Sequence, residues 1–145
     1  MCEEGRQPGG PPSFRAVKMR SVLEAVDPTT RLSVRLEVSP RPPRSGGPVR
    51  WTFSVTNRGD ETRTLTFASE QAGEVVLEAV GVERYRWSRG RAFIQMVSER
   101  ELDAGETWSF SLDDVLHVEP GRYSLVASVT ATPPPPVVRA ELSVD

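Results

Sequence analysis

The sequence predicts an all-β protein, an immunoglobulin-like antiparallel β-sandwich of seven or more strands. Three observations carry this prediction. From Leu32 onward apolar residues alternate with polar ones, the pattern of strands with one buried face. Groups of Gly, Pro, Asn and Asp interrupt the alternation about every ten residues, the turn spacing of a sandwich. No helical repeat separates the strands, so hairpin and Greek-key connections are expected.

The elements follow in order. Leu32, Val34, Leu36 and Val38 alternate with Ser33, Arg35 and Glu37. Pro40–Pro48 ends that ladder, because proline has no amide donor and glycine favours turns. Val49, Trp51, Phe53 and Val55 make the next inward row, closed by a turn at Asn57–Asp60. Leu65 and Phe67 mark another strand, and Val75–Val82 is a longer apolar stretch that stops or bends near Gly81. Tyr85 and Trp87 alternate until Ser88–Arg91 breaks the run. Phe93–Leu102 is ambiguous, with Val97–Leu102 strand-like. Asp103–Gly105 is a turn, and Trp108, Phe110 and Leu112 follow. After Glu119–Gly121 come Tyr123, Leu125, Ala127 and Val129. Four prolines, Pro133–Pro136, precede a last strand with Val138, Ala140, Leu142 and Val144.

Residues 1–30 read as a leader, flexible where Arg6–Pro12 is rich in Pro and Gly, and residues 31–145 as the sandwich domain. Within the leader, Ala16, Met19, Leu23 and Val26 fit one helical face capped by Ser13. Val22–Val26 equally reads as a short strand turning at Asp27–Thr30, and its valines favour that.

The 145 residues suit one domain, long enough to bury a core without staples. A formal net charge of −2 excludes the basic footprint of a nucleic-acid-binding protein. One cysteine, Cys2, and one histidine, His117, allow neither an intrachain disulfide nor a His/Cys metal cage. Neither a cofactor nor a metal is expected, and the chain is expected to be a monomer. No apolar run approaches the roughly 20 residues that span a bilayer, and Met1–Pro12 lacks the apolar core of a signal peptide. Membrane contact is expected only through a lipid on Cys2, which sits on its tether as the lipidated cysteine of a processed bacterial lipoprotein does. An ordinary N-terminal tail is the other reading. The expected compartment follows: cytoplasm for the chain as it stands, cell envelope if a signal sequence preceded Cys2.

Catalytic constellations are missing. His117 has no nucleophile elbow to serve, no glycine-rich phosphate loop precedes a helix, and Asp113–Asp114 read as a solvated turn, not a calcium loop. No catalytic residue is assigned, and the expected partner is a protein. The unusual segment is Arg84–Phe93, which interleaves arginines with aromatics. One reading places Tyr85 and Trp87 in the core with the arginines outside. The other makes Trp87 and the arginines interface anchors, the residue types enriched at binding hot spots.

Leu65–Gln71, Tyr85–Gln95, Glu101–Glu106 and Pro120–Ser124 together resemble, in order and spacing, the intracellular proteinase inhibitor family, BsuPI. There a strand ending in Phe-x-Ser-Gly-Gln leads to Trp-Arg-Trp-Ser, Phe-x-Gln, a Leu-x-Pro-Gly-Glu turn and Pro-Gly-x-Tyr. This chain has Glu70 for the glycine, Glu74 where an aspartate is usual, Tyr85 for the first tryptophan and Ala104 for the turn proline. Its Asp113–Pro120 region is shortened. The resemblance implies a sandwich that inhibits a subtilisin-like serine protease in a bacterial cell. The candidate partner-binding loop is Trp87, Ser88, Arg89, Gly90 and Arg91 with Phe93, and Asp113–Glu119 is the second candidate. A non-inhibitory structural or adhesive binding domain, such as one carried on a bacterial surface lipoprotein, is the alternative.

Overall fold

The computed structural model describes residues 22–145. The assignment to Cys2, the Arg6–Pro12 tether and most of the helical alternative lie outside the described residues. Those described form eleven strands and no helix: β1 (Val22–Val26), β2 (Leu32–Ser39), β3 (Pro48–Asn57), β4 (Arg63–Phe67), β5 (Gly73–Ala79), β6 (Val82–Arg86), β7 (Ser98–Leu102), β8 (Thr107–Val115), β9 (Gly121–Val129), β10 (Ala131–Thr132) and β11 (Val138–Val144). Three antiparallel sheets result, in the orders β1-β2-β3-β8, β10-β4-β7 and β11-β9-β5-β6. The first sheet is one layer of a sandwich and the other two face it.

Period-two patterning explains the layers. In β3, Val49, Trp51, Phe53 and Val55 are buried while Arg50 is exposed and Thr52, Ser54 and Thr56 are half-buried. The inward row meets Tyr85 of β6, whose ring centroid lies 6.0 Å from that of Trp51. Phe67 of β4 meets Trp108 of β8 edge-on at 5.5 Å. A side chain at Gly73 would put its Cβ 2.9 Å from the Phe110 ring, so only glycine allows the layers to approach so closely there. The outer row of β3 is paired too: Thr52 bonds Ser111 at 3.0 Å, Ser54 bonds Ser109 at 2.8 Å and Thr56 bonds Thr107 at 2.7 Å. Arg50 completes the ladder on Asp113 at 2.7 Å. Directly opposed side chains of this kind reinforce register.

One open expectation is decided and others change. Val22–Val26 is a strand, paired with β2 along its length. The apolar stretch Val75–Val82 is a hairpin instead of one bent strand. Val80 and Gly81, with φ of 53° and 73°, form its two-residue turn, the left-handed pair that matches the twist of the flanking strands. Valine is a poor candidate for positive φ, so composition hides the turn. Asp113 and Asp114 are not a turn: both lie in β8, paired with Arg50 and Val49. Trp108 is only half-buried, because β8 is an edge strand, and Arg100 covers its ring at 4.6 Å.

Candidate functional site

The connection from β6 to β7, residues 87–97, closes the open side of the sandwich between the edges of β6 and β8. Its first half is a turn tied down on every side. Trp87 is buried, 8% exposed, and its indole N–H donates to the Asp113 carbonyl at 3.1 Å. Arg91 lies over that indole, its guanidinium carbon 4.3 Å from the ring centroid. The same guanidinium donates to the Trp87 carbonyl at 2.8 Å and the Asp113 carbonyl at 3.1 Å, and it pairs with the Asp114 carboxylate at 3.2 Å. Such a cation–π contact joined to carbonyl bonds holds Arg91 as a clamp.

Glu74 organises the turn from below. It is buried on the outer side of β5, and its carboxylate accepts the Ser88 amide at 3.0 Å, Gln71 Nε2 at 3.3 Å and the Arg86 guanidinium at 3.3 Å. The Ser88 hydroxyl donates to it as well. A buried carboxylate is tolerated when its oxygens are this well supplied with donors. Arg89 is exposed and pairs with Glu83, which the neighbouring Arg86 guanidinium, foremost, holds below the usual carboxylate range. Gly90, at φ 78°, supplies the left-handed residue that the turn requires.

Trp51, Tyr85 and Asp114 link this turn to the core. The Trp51 indole N–H donates to the Tyr85 hydroxyl at 3.3 Å, which donates to the Asp114 carboxylate at 2.9 Å. An indole at position 85 could not accept that bond, so the relay depends on the tyrosine hydroxyl. Burial, foremost, pushes the Tyr85 phenol above the usual range; the Trp51 bond opposes this and the Asp114 carboxylate reinforces it. The neutral phenol is thus favoured in the folded state. Its contribution to stability is fully present below the ordinary phenol value of about 10 and is lost as pH rises through the higher folded value. In an ultraviolet titration, the phenolate signal removed by Tyr85→Phe should appear only above the ordinary range. Reversible ionisation of Tyr85 near pH 10 in the folded protein would contradict the geometry.

The second half of the connection differs. Phe93 is half-buried against Trp87, with ring centroids 5.7 Å apart. Beyond it Ile94, Met96 and Val97 are exposed, at 61%, 57% and 71%. The segment has no regular pairing, but its ends are held. The Glu70 amide donates to the Ile94 carbonyl at 3.0 Å, and Ser98 pairs with Phe67 where β7 begins.

Of the residues expected to bind a partner, Ser88, Arg89, Gly90 and Arg91 come together in one turn. Trp87 and Phe93 pack beneath it, Arg89 and Gly90 are exposed, and Arg91, exposed as well, is held by its clamp. The second candidate, Asp113–Glu119, is pinned: Leu116 and Val118 are buried, and the Ser45 hydroxyl donates to the Val118 carbonyl at 2.6 Å. His117 is exposed. Glu74, in the sequence only a departure from the family pattern, and Ile94–Val97, part of an ambiguous stretch, were not among the expected site residues. The signal was present in Ala92–Val97, which clusters apolar residues without alternation and without a turn former.

The fold and this rim define a class: a rigid β-sandwich that holds an irregular, apolar segment at an open edge. The chain belongs to the intracellular proteinase inhibitor family, BsuPI, whose model matches residues 36–134. Membership in an inhibitor family implies a proteinase as protein partner. No curated protein is significantly similar to the chain. Among solved structures, a β-glucosidase from Erythrobacter marinus is similar at 13% identity and a TM-score of 0.44, over 86% of this chain and 15% of that one. The alkylpurine DNA glycosylase AlkC of Pseudomonas fluorescens is similar at 12% and 0.45, over 88% and 31%. A β-glucosidase of Listeria innocua is similar at 17% and 0.41, over 77% and 16%. The chain spans less than a third of each of these proteins.

Proposed function

We propose that the protein inhibits a subtilisin-like serine protease by presenting the β6–β7 connection, Ser88 to Val97, to the enzyme's active-site cleft. The observation that carries this reading is the anchored, exposed run at Ile94–Val97, in a chain of an inhibitor family. Ordering a loop on binding costs free energy, and a loop already held by its scaffold avoids most of that cost. The hydrogen bonds of Glu74, Arg91 and Glu70 supply such a hold. Protease–inhibitor complexes bury about 1,600 Å² in total with little backbone movement, which suits a rim backed by a packed sandwich. The protein acts in this reading as a monomer.

The test is a titration of a subtilisin with the purified protein. Activity should fall in proportion to added inhibitor, with a one-to-one endpoint, and the inhibitor should survive intact on a gel. Full activity at micromolar inhibitor across several subtilisin-class enzymes would overturn the reading.

A further inference from the structure

Among the exposed apolar residues of the β6–β7 connection, one is placed to enter a specificity pocket. We infer that Met96 is the residue that fills the primary pocket of the target protease, and that this pocket is apolar. The inference rests on the inhibitory reading above and goes beyond it in naming the contact and the specificity.

The neighbours of Met96 are each committed or unsuited. The Phe93 ring is turned inward on Trp87. The Ile94 carbonyl is held by Glu70, and Ser98 is already in β7. Between these anchors lie Gln95, Met96 and Val97. Among the described residues, no backbone hydrogen bond reaches these three. With no backbone partner among the described residues, their N–H and C=O groups suit pairing with the backbone of a cleft, as an added strand does. Gln95 is polar. Val97 is branched at Cβ and stiff, a poor shape for a narrow slot. Met96 is unbranched, adaptable and 57% exposed.

Charge decides the kind of pocket. The basic side chains along this rim have partners of their own. Arg89 is paired with Glu83, Arg91 is clamped on Trp87 and Asp113, and Arg100 lies over Trp108. None of residues 92–97 is charged. A pocket with an acid at its base, which selects arginine or lysine, would gain nothing here, whereas an apolar pocket would be filled.

The experiment compares inhibition constants of the full chain and single variants against a subtilisin with an apolar primary pocket. Met96→Asp should weaken inhibition about 100-fold, a hot-spot effect, and Met96→Leu should stay within about tenfold. Val80→Asp, an equally drastic change on the β5–β6 hairpin, should leave inhibition unchanged. Melting temperatures should be alike, because both sites are exposed. If the parent chain inhibits but Met96→Asp weakens it less than tenfold, the assignment of Met96 is overturned and the inhibitory function stands. If the parent chain inhibits neither this enzyme nor any of the subtilisin-class enzymes in the titration above, both fall. Sedimentation provides the remaining arm: a parent dimer that Met96→Asp converts to monomer would mean that a second copy covers this segment, and would overturn the inference.

Discussion

Trp51→Ala should lower the unfolding free energy by about 3–5 kcal/mol, the range for truncating a large buried aromatic side chain. Trp51 is fully buried in the middle of β3, flanked in register by Val38 of β2 and Leu112 of β8. Its ring touches the facing layer at Tyr85. No backbone there can collapse to refill the space, because both neighbouring strands are held by their own ladders. The variant also takes away the indole donor to the Tyr85 hydroxyl, although that hydroxyl keeps its bond to Asp114. Trp51→Phe, which retains most of the volume, should cost distinctly less. Against a typical total of about 5–15 kcal/mol, the alanine variant should be partly unfolded well below the parent's urea midpoint. A loss under about 1.5 kcal/mol in equilibrium urea unfolding would mean that Trp51 is not the packing centre of the sandwich.

Glu74→Ala should have the second largest effect, about 3 kcal/mol, for an electrostatic reason. The carboxylate serves the Ser88 amide and hydroxyl, Gln71 and Arg86 at once. Its removal leaves donors that are partly or fully buried, each costing about 1–3 kcal/mol if no water replaces the oxygen. Arg86 suffers least, since Glu83 remains 2.9 Å away. The Ser88 amide suffers most. The loss should therefore be local as well as global: amide exchange of residues 88–91 should quicken more than that of β3. In the inhibitory reading, the loosened turn must be ordered on binding, so inhibition should weaken about tenfold even though Glu74 itself is out of reach of the enzyme. Unchanged exchange at Ser88 would show that Arg91 alone holds the turn.

The fold was legible because burial on one face of a strand writes itself as alternation, and β2, β3, β8 and β9 all follow that rule. The two outliers mark where local rules yielded to tertiary ones. Val80 takes a left-handed turn position that propensity assigns to Gly or Asn, because the β5–β6 pairing leaves two residues to reverse the chain. Asp113 and Asp114 look like solvated turn residues, yet they continue β8 because Arg50 faces one and Tyr85 the other. The site was less legible. The Arg84–Phe93 pattern admitted two readings, and burial divides it between them: Tyr85 and Trp87 belong to the core, while Arg89 stays outside.

By itself, then, the sequence determined an all-β sandwich, its main strands, the inhibitor family and the turn at Ser88–Arg91. These depend on periodicity and on residue types at short spacing, which the chain carries locally. Only the tertiary structure decided that Glu74 supports Ser88, that Arg91 clamps Trp87 against β8, and that Ile94–Val97 stands exposed between two anchors. Each of these joins residues from different strands, and which edges face one another is settled by layer packing that no local pattern encodes.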